Sequence, residues 1–406
     1  MLNLKENNEN NEEKIISFPG NDDISDHSDT EKENSSFTDK IKQFSVKRLF
    51  FYGALILCLG LIIYLVARDT SFEATNTVNE TPIILSDANN FYLEKYREGF
   101  ILAKDGKISC FNTNHELQWE YSGSKTAPTV VTNDKYCLVY YNEDKKAVIT
   151  NGNDCFTIKS TGNVMYGNIN SNGYSVLFAE ETGLNNKIVV YDDDGEQIYL
   201  RQNADRFIPY ACVSDNNYSL ITLEISQSDS GLTTEICVVD ITESQNNKTI
   251  ISLGNNTING IFMYDDDEFA VIKENSIEAY DIDGKRQWST SINQQIYKYA
   301  YNGDDIFAVI LNEDDSATSG SQIKFFETDG SEISVYKTEK KIYNIDICDK
   351  TAVLNADREL IAINTKGKFI SSKKLLYDIK DALFINNKKC SLVLTNSEEM
   401  KLIPID

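Results

Sequence analysis

From Pro82 to Asp406 the chain alternates between short apolar runs and polar clusters of Asn, Asp and Gly. Tyr174–Glu181 (YSVLFAEE), Glu268–Asn275 (EFAVIKEN) and Ile306–Glu313 (IFAVILNE) are examples of the runs. Their length and alternation predict strands, and the clusters between them predict turns. No long segment with a 3.6-residue period interrupts this part of the chain. One stretch upstream reads differently. Leu49 to Ala67 is apolar and uncharged, with Tyr52 and Tyr64 near its ends, and its length is close to the roughly 20 residues that span a bilayer as a helix.

The strand-rich part repeats itself. Ser276–Trp288 (SIEAYDIDGKRQW), Lys187–Tyr199 (KIVVYDDDGEQIY), Gln322–Ser334 (QIKFFETDGSEIS), Glu359–Phe369 (ELIAINTKGKF) and Lys107–Trp119 (KISCFNTNHELQW) share one pattern. A strand leads to an acidic or Asn residue, then to a Gly or Asn turn, then to a second strand. Gly supplies the positive φ that tight hairpin connections need. Anchoring each unit on the first apolar residue before the turn gives Ile108, Val148, Ile188, Ile236, Ile277, Ile323, Leu360 and Met400. Their mean spacing is about 42 residues, the length of a four-stranded propeller blade. The pattern predicts an all-β domain over 82–406, an eight-bladed β-propeller with seven blades as the alternative. The last unit ends after its third strand, so Pro82-Ile83-Ile84-Leu85 is expected to supply the fourth and close the ring.

Flanking charge sets the expected orientation. Lys40, Lys42, Lys47 and Arg48 precede the apolar stretch, and only Arg68 follows it, next to Asp69. The positive-inside rule places the N-terminus in the cytoplasm and the propeller outside the cell. The expected organisation is an acidic disordered tail over 1–45, a transmembrane helix over 46–68, a polar linker over 69–81 and the propeller over 82–406. A cleaved signal peptide fits less well, because a long polar leader precedes the apolar run.

Composition narrows the chemistry. The formal net charge is −24, which argues against nucleic acid as a partner and favours either simple solubility or attraction to cations or to a basic partner. Of the 8 cysteines, Cys58 lies in the apolar stretch. Cys110, Cys137, Cys155, Cys212, Cys237, Cys348 and Cys390 each sit in an apolar run and read as buried free thiols. The 2 histidines are His27 in the tail and His115 in a predicted turn, so a Ser-His-Asp or Cys-His centre would rest on a solvated His115. Cysteine and histidine spacings give no zinc site. Gly123-Ser124-Lys125-Thr126 lacks the glycines of a phosphate loop. Asp192–Gly195, Asp265–Glu268 and Asp281–Gly284 are acidic enough for Ca²⁺, but they do not have EF-hand spacing and read as turns at one recurring blade position. No catalytic, cofactor-binding or metal-ligating residue is singled out, and no cofactor is expected.

Ala279-Tyr280-Asp281-Ile282-Asp283-Gly284, leading to Trp288, resembles the repeats of PQQ-like propellers (WD40/YVTN-like), whose units end in Asp, Gly and Trp. The Trp is retained at Trp119 and Trp288. The whole layout also resembles an uncharacterised membrane-anchored family of clostridial-type Gram-positive bacteria. The resemblance implies a binding platform and not the quinone. Adjacent cysteines and CxxCH motifs, which redox relatives use, are missing. The expectation is a non-enzymatic, membrane-tethered extracytoplasmic binding or scaffold protein with an envelope protein or glycan as partner. A cell-envelope polysaccharide hydrolase or lyase is the alternative. Gln227–Thr234 and Asn312–Ser321 exceed minimal hairpins and are the expected partner loops.

Overall fold

Apart from Ile83–Ile84, strands pair only with neighbours in sequence, and every ladder is antiparallel. The computed structural model describes Ile83–Ile84 and residues 91–404, the latter apart from short stretches of the connecting loops. The expected tail, helix and linker therefore lie outside the described residues. Among the described residues no helix is long and apolar enough to cross a membrane. The strands form eight four-stranded sheets. In chain order the sheets cover 91–122, 128–159, 163–203, 207–254, 258–291, 296–338, 344–374 and 379–404. The first strand of each sheet lies beside the first strand of a neighbour, and Phe91–Tyr96 of the first sheet also meets Ile379–Phe384 of the eighth. The result is a closed β-propeller of four-stranded blades, with the first strands innermost.

Every anchor residue falls in the third strand of its sheet, from Ile108 in Lys107–Phe111 to Met400 in Glu399–Pro404. The eighth sheet has only three strands of its own. Its outer position is filled by Ile83–Ile84, which pairs with Met400 and Glu399. That is the closing strand expected from the sequence.

The runs that read as alternating behave otherwise. Ser175–Ala179, Phe269–Lys273 and Ile306–Leu311 are buried at every position. They are second strands, and each sheet is covered by a neighbour on both faces, so an apolar run without alternation is the stable solution. One shared core joins the sixth and seventh sheets, where Ile306, Ala308 and Ile310 pack with Ile345, Ile347 and Leu354. Fourth strands are half solvated, and several keep a true alternation, as in Leu117–Ser122 and Lys248–Gly254.

The repeated Asp-Gly turn joins third and fourth strands. In the fifth sheet Asp281 Oδ1 accepts a hydrogen bond from Lys285 N at 2.8 Å, and Gly284 has φ +84°. Asp192 plays the same part in the third sheet, accepting from Glu196 N at 2.7 Å. These carboxylates act as turn acceptors. The turn glycine then rests on the fourth strand of the preceding sheet. A Cβ on Gly330 would lie 2.5 Å from the Trp288 ring, and Gly330 has φ +83°. Trp288 in turn stacks on Phe307 of the sixth sheet, with centroids 6.2 Å apart. The Gly and the Trp of the motif are thus two halves of one contact between neighbouring sheets. Gly330→Ala should cost about 2 kcal/mol, from its backbone conformation together with the clash. Urea denaturation of the variant checks this, and an unchanged midpoint would mean that the turn does not need to sit on Trp288.

Candidate functional site

The inner strands mix core and polar positions. In Asn344–Cys348, Ile345 and Ile347 are buried in the core while Asn344 and Asp346 are only half buried. Polar side chains on these strands also bridge from one sheet to the next, where no ladder exists. Asn168 Nδ2 donates to Ala211 O at 3.2 Å, Asn259 Nδ2 to Ile296 O at 2.8 Å, and Asn344 Nδ2 to Asp381 Oδ1 at 2.6 Å.

A cavity of about 660 Å³ opens at the end of the ring where inner strands turn into second strands. It spans the second to sixth sheets, with Asn168, Ser171, Tyr210, Asp215, Tyr264 and Tyr301 in its lining. Phe262 stacks on Tyr301 at 4.6 Å, and Tyr166 lies 6.2 Å from Tyr210. Asp215 is held by Ser171, whose Oγ donates to its Oδ1 at 2.6 Å and whose backbone N donates to the same oxygen at 3.1 Å. A second cavity of about 440 Å³ lies at the other end, beside Leu232 and Thr234. Tyr210 and Ile261 line both cavities.

On the arc made by the seventh, eighth and first sheets, Asp346, Asp381 and Glu94 come together. Glu94 is raised from its ordinary 4.5 to about 7, first by burial and then by the charges of Asp381 and Asp346. Asp346 is raised to about 6 by burial, against hydrogen bonds from Phe384 N and Ile347 N and the attraction of Lys95. Neither residue stands out in the sequence. The usable signal was a polar residue in the first strand of a repeat whose second and third strands are apolar.

Other expectations need correction. Gln227–Thr234 is not a loop. The strands Ser219–Ser228 and Gly231–Asp240 stay paired up to Ser228 and Gly231, so the extra residues lengthen a hairpin, and its tip borders the second cavity. For Asn312–Ser321, residues 313–319 lie outside the described residues. Both segments join second to third strands, at the end opposite the larger cavity. Asp265–Glu268 does not share a blade position with the other acidic turns, because it joins the first and second strands of the fifth sheet. His115 is half buried, edge-on to Phe100 at 5.9 Å, because its turn packs back onto the first sheet. Of the cysteines, Cys110, Cys137, Cys212 and Cys237 are buried and free, whereas Cys155 is exposed, since it opens a solvated fourth strand. Burial pushes the Cys212 thiol up to about 12.

Residues 68–405 match a family described as a family of unknown function, DUF5711. The chain belongs to that family. No curated protein sequence matches this DUF5711 chain. Among solved structures it is similar to BamB from Moraxella catarrhalis, at 12% identity and TM-score 0.51, covering 79% of this chain and 98% of that one. It is also similar to the computationally designed Ika8 protein, at 13% and 0.55, covering 77% and 95%. The C-terminal WD40 domain of Sif2 is a third, at 11% and 0.54, covering 80% and 98%. At these identities the likeness is one of fold, and it agrees with the propeller seen here.

The raised Glu94 makes stability depend on pH. The folded state holds this proton more tightly than the unfolded chain does, so the stabilisation is full below about 4.5 and is lost as pH rises through about 7. Relative to the parent, Glu94→Gln should gain up to about 3 kcal/mol between pH 4.5 and pH 8. Paired urea titrations of the two proteins check this. A constant difference across that range would mean that Glu94 ionises alike in both states.

Proposed function

We propose that this DUF5711 protein is a binding or scaffold module held at the outer face of a cell membrane by the segment Leu49 to Ala67. The cavity over the second to sixth sheets carries the reading. It has the size of a small-ligand or side-chain pocket, its walls stand on rigid inner strands, and its rim consists of turns that can vary without disturbing the ring. The uncharged Leu49–Ala67 stretch, with its flanking cations on one side, supports the tether.

Crosslinking in native envelopes with the full-length chain as bait tests both parts. Met263 lines the cavity at the edge of the core between the fourth and fifth sheets, and its side chain makes none of the hydrogen bonds named above, so Met263→Trp should occupy the space. The crosslinked partner should be lost while the melting temperature stays within a few degrees. In a parallel uncrosslinked sample, alkaline carbonate should leave the chain in the membrane pellet. A partner retained by Met263→Trp refutes the cavity, and release by carbonate refutes the span.

A second reading has its own observation. Glu94 and Asp346 come together on inner strands of the first and seventh sheets with raised pKa values, as a glycan-cleaving acid and its partner carboxylate would. On this reading the protein is an envelope polysaccharide hydrolase or lyase. Release of reducing ends from purified cell-wall polysaccharide, abolished in Glu94→Gln, would support it. No release by the parent protein between pH 5 and 8 would end it.

A further inference from the structure

We propose that the larger cavity takes a basic segment of a partner protein, with a lysine or arginine side chain resting beside its aromatic wall. The inference rests on the binding-module reading and names the chemistry of its ligand. The charged residues of the lining are Asp215, Asp265 and Asp266, and no lysine, arginine or histidine lines the cavity. The aromatic wall is the independent feature. Phe262 and Tyr301 stack at 4.6 Å with rings 24° apart, Phe262 also meets Tyr264 at 6.5 Å, and Tyr210 stands on the neighbouring inner strand. Aromatic faces beside carboxylates attract organic cations, with guanidinium and ammonium groups foremost.

The Tyr301 hydroxyl reports the local field. It donates to Asp304 O at 2.9 Å. Its ionisation is pushed up first by burial and then by the charges of Asp304, Asp305, Asp215 and Asp265. Those carboxylates come from the first turns of three different sheets, the fourth, fifth and sixth. A metal ion is the simpler cation. However, among the described residues no group of three or more His, Cys, Asp or Glu side chains could hold one. A polypeptide suits the site better than a small amine for two reasons. The rim is open and built from exposed turns of several sheets, and the chain as a whole carries a net charge of −24, which draws in an extended cationic segment.

The test uses the full-length chain in detergent and a fluorescein-labelled ten-residue peptide of alternating Lys and Gly, with the Glu–Gly counterpart as control. Anisotropy should show binding of the Lys peptide alone, weakening between 20 and 300 mM NaCl. Asp215→Asn with Asp265→Asn should weaken it at least tenfold, and Tyr301→Leu should weaken it severalfold at unchanged charge. Asp193→Asn with Asp194→Asn, the same charge change on a turn outside the cavity, should leave it unaltered. Near-UV circular dichroism checks that each variant keeps the fold. Equal loss in the Asp193/Asp194 pair would reduce the binding to overall charge and overturn the proposal. So would binding of spermidine with no binding of the peptide. If Met263→Trp abolishes the native crosslink while the peptide fails to bind the parent, only the basic ligand is wrong. If the crosslink also survives Met263→Trp, the cavity reading fails with it.

Discussion

Everything in this molecule depends on closing a ring of sheets without leaving an open strand edge. A sheet buried on both faces cannot solvate its unpaired backbone groups cheaply, and an exposed edge recruits other chains. Seven of the sheets complete themselves from contiguous sequence. The eighth takes three strands from contiguous sequence, and Ile83–Ile84 crosses from the start of the domain to pair with Met400 and Glu399. All other pairing is between sequence neighbours, so this junction concentrates the long-range order of the fold. The same seam is completed on the inner side by Phe91–Tyr96 meeting Ile379–Phe384, which is where Glu94, Asp346 and Asp381 are brought together.

Between sheets there is no ladder, and the contacts are of two kinds. The apolar kind is the packing of second and third strands. The polar kind is specific, and one example is deeply buried. Glu224, 2% exposed, pairs with Arg201 and lies 3.2 Å from Arg206, which reaches Glu235 at 2.6 Å. Burial pushes the Glu224 carboxyl up, but the two arginines and Thr222 outweigh it and hold it below its ordinary range. Such a network gains little over apolar packing, yet removing one member strands a buried charge. It lies between the third and fourth sheets, beneath the hairpin that the longer strands of the fourth sheet extend. Register between those two sheets is therefore set by charge as well as by shape.

The strands, the repeat and the closing segment were legible in the sequence because each has a local signal. Turn residues punctuate the chain, the Asp-Gly motif recurs, and the missing fourth strand follows from counting. The site was not legible in the same way. Tyr210, Tyr264, Tyr301 and Asp215 come from three different sheets, and no local pattern announces that they share a cavity. Glu94 and Asp346 are far apart in the chain and meet only because the ring closes. The misreadings have the same origin. Alternation was expected in Ile306–Glu313 because a strand was assumed to have one wet face, whereas the ring covers both. Gln227–Thr234 reads as a loop because it is largely polar, whereas its residues pair across a hairpin up to Ser228 and Gly231.

The two-residue period of the inner strands explains how a ring this uniform can carry an individual site. On Ile258–Asp265 one parity turns toward the fourth sheet, with Ile261 and Met263, and the other toward the sixth, with Phe262 and Tyr264, so the period decides which neighbour each cavity side chain meets. A Cβ on Gly260 would lie 2.1 Å from the Tyr299 ring. Tyr299 therefore crosses to the fifth sheet and lies over bare backbone, with Phe262 stacked against it at 5.9 Å. Any side chain at residue 260 would displace that ring. Phe262 would then lose its stacking partner on one side, and with it the constraint that holds the Phe262–Tyr301 face in place. The glycine is thus as much a part of the aromatic wall as the tyrosines, because its missing side chain makes room for one of the rings.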